Sequence, residues 1–242
     1  TINMDVCLNS LLPADAKALI VNNGAYSSRA VEICKAYGLN HIDLRFPVDE
    51  LPDLTCVEAV LKENPDIRLV YTTHNETGTG ICNPIREIGA LAHRYGATFV
   101  VDTTSTLAMR PIDVARDNID FCMASAQKGI MAMTGLSFVI GRTDLIVASK
   151  DYPKRSYYCN LYLQYEYFEK TGQMHFTPPV QHVHAAVQGL KEYFAEGEIA
   201  KWERHKRVFE AIHTGLAELG FKDVIRREWQ SGLVVSVLYP DD

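Results

Sequence analysis

Two periods of apolar and polar positions take turns along this chain. Residues 18–21 form a short apolar run closed by the turn Asn22-Asn23-Gly24; residues 27–37 then carry Ala30, Val31, Cys34 and Tyr37 at helical spacing and stop at Gly38. Residues 41–46 alternate like a strand. Thr55-Cys56-Val57-Glu58 reads as a capping box opening a helix that ends at Asn64-Pro65. Residues 68–73 are rich in β-formers, and Asn83-Pro84 predicts an N-cap with proline at the first helical position. The helix beyond it carries Ile85, Ile88, Leu91, Ala92 and Tyr95 on one face and closes at Gly96. Residues 98–102, 121–125 and 137–141 supply three more strands. Such alternation predicts an α/β fold with a mostly parallel sheet flanked by helices on both faces.

The flanks read differently. Residues 4–12 have helical character. After Gly141, residues 152–168 form a tyrosine-rich excursion of loop and helix, and Thr177-Pro178-Pro179 is stiff and extended. Residues 180–194 and 198–219 predict two helices, the second long enough to bridge to another domain, and residues 233–239 look like a strand. We therefore expect a large domain over residues 1–200, and over 201–242 a linking helix with the first strand of a smaller C-terminal domain. Apolar elements at both ends predict the interior of a longer protein.

Composition narrows the chemistry. A chain of 242 residues with 47% hydrophobic content can bury a large core. Its net charge of −6 argues against a nucleic-acid or anionic-membrane surface as the main partner. No apolar run approaches a membrane span. Six cysteines are scattered without a C-x-x-C pair, as suits reduced thiols in a cytoplasmic protein, and the eight histidines offer no metal-binding spacing.

Asp102 closes one strand-like run and Lys128 follows another, so both should reach the carboxyl edge of the sheet, where open α/β folds hold ligands. Taken singly, the lysine also fits a solvated loop and the aspartate a turn or cap. Together, an amine that can bind a carbonyl covalently and a carboxylate that can pair with a cationic ring nitrogen meet the needs of pyridoxal 5′-phosphate. His74-Asn75-Glu76-Thr77-Gly78-Thr79-Gly80 follows a strand as well, and its glycines admit a ligand close to the backbone. A dinucleotide G-x-G-x-x-G loop fails there, because position 83 is asparagine. Asn23-Gly24-Ala25-Tyr26 brings an aromatic ring to the same edge, where it fits either packing or stacking on a planar cofactor.

The order Asn-Gly-aromatic, His-x-Glu-Thr-x-x-Gly, Val-Asp and Ser-x-Gln-Lys resembles the class V branch of fold-type I pyridoxal-phosphate enzymes, within it the aminotransferases acting on 2-aminoethylphosphonate. The resemblance runs from Leu19 through Ala90-Leu91-Ala92-His93-Arg94-Tyr95-Gly96 to Phe176-Thr177-x-Pro179. It implies amino transfer between a small amino donor and a 2-oxo acid, with Lys128 and Asp102 catalytic. By the same resemblance Tyr26 stacks on the ring, Thr77 bonds near its 3′-oxygen, and Thr1, Ser125 and Gln127 reach the phosphate. Thr177 does so from the neighbouring subunit, so a homodimer with shared sites is expected. Alanine–glyoxylate or serine–pyruvate exchange is the sibling reaction, which Gln127 fits. Asn75-Glu76-Thr77-Gly78-Thr79 also resembles a cysteine desulfurase loop, against which Gln127 and Tyr26 stand where that family has histidines. The arginine that grips the substrate's acidic group belongs to the C-terminal domain of the family.

Overall fold

Every strand run predicted between residues 18 and 141 becomes a strand; the central ones are buried on both faces, where only a neighbouring strand can satisfy the backbone. The structure is a computed structural model and describes residues 2–239. In chain order the first half comprises α1 (Ile2–Leu11), β1 (Lys17–Asn22), α2 (Ala25–Ala36), β2 (His41–Arg45), α3 (Leu54–Glu63) and β3 (Ile67–Thr73). Then come the two-residue pair β4 (Asn75–Glu76) and β5 (Ile81–Cys82), α4 (Ile85–Arg94), β6 (Thr98–Asp102), β7 (Phe121–Ser125) and β8 (Ser137–Gly141). The helices α5 (Thr143–Ala148), α6 (Leu161–Thr171), α7 (Val180–Glu196) and α8 (Glu198–Glu218) complete the order.

Six strands form one sheet in the order β2-β1-β3-β6-β7-β8. The first five are mutually parallel and β8 runs antiparallel to β7. The short link over residues 126–136 explains β8: a parallel return needs a crossover of a dozen or more residues, whereas an antiparallel neighbour does not. Successive strand residues face opposite layers. Ile20, Tyr71, Val100 and Phe121 pack with α1 and α2, while Leu19, Val70, Val101 and Cys122 pack with α3 and α4. A one-residue slip of any central strand would exchange these two sets, so burial on both faces fixes the register.

Three local expectations are corrected. Asp53, not Thr55, caps α3: its carboxylate accepts from the Thr55 amide at 2.8 Å, leaving Thr55 inside the helix. Asn83 does not cap α4. Its side-chain amide forms a reciprocal pair with Asn23 (2.7 and 2.9 Å) and donates to the Thr73 carbonyl, so Pro84 occupies the cap position. Residues 233–239 form no regular strand; they pair only through the isolated bridge between Asp223 and Val237, with no second neighbour to extend a ladder. Among the described residues, no helix is long and apolar enough to cross a membrane.

Candidate active site

Parallel strands deliver their following loops to one edge, and four such loops meet here. The chain passes from β1 outward to β2 and then back beyond β1 to β3, which makes the β1/β3 boundary the switch point of the sheet. Tyr26 follows β1, Thr77 follows β3, Asp102 ends β6 and Lys128 follows β7. All four line a single cavity, together with Thr73, Asn75, Thr104 and Ser105.

Tyr26 is held by its backbone. Glu76, buried to 1% exposure, accepts from the Tyr26 amide at 3.0 Å and from the Ser27 amide at 2.7 Å. These are two of the first amides of α2, which lack partners within the helix, so Glu76 caps α2 from a distant loop and its charge faces the positive end of the helix dipole. Gly24 makes room for it: a Cβ there would fall 2.5 Å from Cδ of Glu76. The guanidinium of Arg29 lies 4.9 Å from the Tyr26 ring centroid.

Asp102 is 6% exposed. Its Oδ1 accepts from the Thr104 amide at 2.8 Å, and the Tyr71 hydroxyl approaches Oδ2 at 3.5 Å. Burial raises its pKa above the ordinary aspartate value; the Thr104 hydrogen bonds oppose that shift and the charge of Glu76 adds to it. Such a carboxylate gains from a cationic N–H partner. His74 is no candidate acid: burial, with help from the charge of Arg110, holds it down at about 3, and its Nδ1 pairs with the Thr106 hydroxyl at 2.9 Å.

Lys128 is exposed at the mouth of the cavity, in a turn closed by its amide bond to the Ser125 carbonyl (3.2 Å) and by the Met131 amide to its own carbonyl (2.9 Å). Gly129 then presses against the loop that follows Asp102. A Cβ at Gly129 would meet the Leu107 carbonyl oxygen at 2.0 Å, so only glycine lets these two loops touch.

The other expected site residues lie elsewhere. Ser125 is half-buried at the end of β7, opposite Ser137, and Gln127 is exposed; neither lines the Lys128 cavity. Thr177 is exposed and borders a separate cavity with Asn3, Ser137 and Phe176. Thr1 lies outside the described residues. Sequence reasoning missed Thr73, Asn75, Thr104 and Ser105, although each adjoins a motif that it used: the residues flanking a strand end reach the crevice with it.

The residues present fit pyridoxal 5′-phosphate. Asp102 offers a buried acceptor in need of a cationic donor, Tyr26 an aromatic face, and Lys128 an amine. The Oδ1 of Asn75 and the Oγ1 of Thr73 are buried without a hydrogen-bond partner among the described residues, and so are free to serve a polar ligand.

This fold and this edge of the sheet define a class. Residues 2–238 match the family model described as aminotransferase class-V, and the chain belongs to that family. Among individual proteins, it is 36% identical over 241 residues to the 2-aminoethylphosphonate–pyruvate transaminases of Salmonella heidelberg and Salmonella typhimurium, covering 99% of this chain. The chain spans 65% of the length of those relatives. The solved alanine–glyoxylate aminotransferase of Nostoc sp. superposes with a TM-score of 0.92 at 23% identity, covering 99% of this chain and 64% of that one. A pyridoxamine–pyruvate aminotransferase from Mesorhizobium loti gives 0.91 at 24%, with coverages of 99% and 62%. At such identities these two structures establish the shared fold.

Proposed function

We propose that the full-length protein is a pyridoxal-phosphate-dependent aminotransferase that moves the amino group of 2-aminoethylphosphonate to pyruvate, giving phosphonoacetaldehyde and L-alanine. The observation that carries the reading is the cavity shared by Lys128 and Asp102, from neighbouring strands, beside the ring of Tyr26. The choice of donor rests on the 36% identity to transaminases named for that substrate.

The bound cofactor would supply an electron sink for the carbon losing its amino group. Lys128 would hold its carbonyl carbon and, once displaced by the donor, carry a proton between the substrate carbon and the cofactor. Asp102 would keep the ring nitrogen protonated, and Tyr26 would stack on the ring. Thr77 would bond near the 3′-oxygen. Ser125, Gln127 and Thr1 would hold the phosphate, with Thr177 of the partner subunit completing it across a homodimer. In this reading residues 1–200 belong to the cofactor-binding domain, residues 201–242 lead into a smaller one, and the enzyme works in the cytoplasm on small molecules.

A panel of donors and 2-oxo acids offered to the full-length protein tests the assignment. Turnover of 2-aminoethylphosphonate with pyruvate is expected. Turnover confined to alanine with glyoxylate, or serine with pyruvate, would move the enzyme to the sibling reaction, and sulfur release from cysteine would move it to the desulfurases. Borohydride reduction should leave a phosphopyridoxyl mass on Lys128; a label on Lys150 or Lys154 would refute the role of Lys128.

A further inference from the structure

Helix α8 places a lysine where a helix on the surface rarely has one. Lys201 is 3% exposed. Its Nζ donates to the carbonyl of Gly129 and lies 5.2 Å from the ring centroid of Tyr193. Among the described residues it forms no salt bridge. Burial lowers its pKa below the ordinary lysine range, against the opposing charge of Glu196. An ammonium taken out of water without a carboxylate is costly. Among the described residues, the hydrogen bond this lysine gains in return is to the peptide that follows Lys128.

That peptide is gripped from two sides. The Cα of Gly129 rests against the Leu107 carbonyl, in the loop after Asp102, and its own carbonyl is taken by Lys201. The next residue of α8 reaches the first of these loops: the Arg110 guanidinium sits 5.3 Å from the Trp202 ring, and Arg110 Nη1 donates to the Ser231 carbonyl at 2.9 Å. Two adjacent residues of α8 thus hold the loops that follow β6 and β7. Each loop also contains a non-glycine residue in the left-handed region, Ala108 at φ 60° and Met131 at φ 61°. Backbone of that kind persists only where its surroundings enforce it.

We propose that Lys201 is a positioning residue: by holding the Gly129 carbonyl it fixes the turn that carries Lys128, so the placement of α8 sets how Lys128 meets the cofactor. The proposal rests on the reading of Lys128 given above. It accounts for a buried cation on a helix none of whose residues is among those lining the cavity.

The test compares full-length wild-type protein with Lys201→Met, which keeps the apolar stem, and Lys201→Arg, which keeps a charged donor. In Lys201→Met, amide hydrogen exchange over residues 126–133 should accelerate about tenfold, while β1, β3 and α4 exchange as in wild type. The pH midpoint of the absorbance of cofactor bound at Lys128 should move by about half a unit. Lys201→Arg should bring both readouts back toward wild type. Unchanged exchange over residues 126–133, or acceleration spread evenly through α8 and the sheet, would overturn the proposal. If Lys201→Met cannot be obtained folded, Lys201→Gln is read against the same criteria. Exchange is measured on cofactor-free protein too. A full-length protein that binds no cofactor would then refute the functional reading, while the exchange result still decides the role of Lys201.

Discussion

Glu76 and Ser27 are bonded twice: one carboxylate oxygen accepts from both the Ser27 amide (2.7 Å) and the Ser27 hydroxyl (2.6 Å). The other oxygen takes the Tyr26 amide. A residue beyond β3 therefore decides where the first turn of α2 begins, and with it where the ring of Tyr26 stands.

Replacing Glu76 with Gln keeps the shape but puts an amide donor where one acceptor stood. Either the Tyr26 or the Ser27 N–H then faces another donor in a buried setting. Urea unfolding should show a loss of about 1–3 kcal/mol, and bound cofactor should dissociate faster. A Glu76→Gln protein as stable and as retentive as wild type would show that the cap does not hold Tyr26.

Asp102→Asn should separate stability from activity. The folded-state pKa of Asp102 lies above its unfolded value, so the carboxyl favours folding when protonated and disfavours it as pH rises through the folded pKa. At pH 7 the cofactor-free Asn variant is accordingly expected to melt at or above the wild-type temperature, while transamination falls by orders of magnitude. Near-normal turnover, or a clearly lower melting temperature without cofactor, would contradict this account.

His74 predicts an acid sensitivity. Its folded pKa of about 3 lies below the ordinary value of 6.5, so the unfolded chain binds a proton that the folded chain refuses between those two values. Stability should fall with pH across that window, by about 2 kcal/mol between pH 7 and pH 5 through this residue alone. His74→Asn removes the titration. Its stability relative to wild type should rise as pH drops from 7 to 5, and parallel curves would exclude the effect.

Complementation tests the shared site. Subunits carrying Lys128→Ala, mixed with subunits carrying a disabling Thr177 change, should form hybrids in which one of two sites has every group intact. Recovery of activity in verified hybrids is expected; an active monomer would rule out the shared arrangement.

The strands were legible because burial on both faces leaves near-continuous apolar runs, as at residues 98–101 and 121–124, and the carboxyl-edge rule then placed Asp102 and Lys128 together. What escaped the sequence depended on distant partners. Asn83 looks like a cap until Asn23, far away in the chain, takes its amide. Asp53 and Thr55 are both good caps, and only the approach of the Thr55 amide to Asp53 separates them. Residues 233–239 have strand composition but too little neighbouring backbone to pair with. The orphaned atoms of Thr73 and Asn75, and the burial of Lys201, arise from packing between elements and leave no periodic trace.

β6, which ends in Asp102, and β7, which leads into the turn carrying Lys128, are adjacent in the sheet, and backbone hydrogen bonding holds such strands about 4.8 Å apart. No side-chain substitution can stretch that interval. The sheet thus works as a ruler with fixed graduations, and a change of substrate has to be written into the loops and the helices that clamp them.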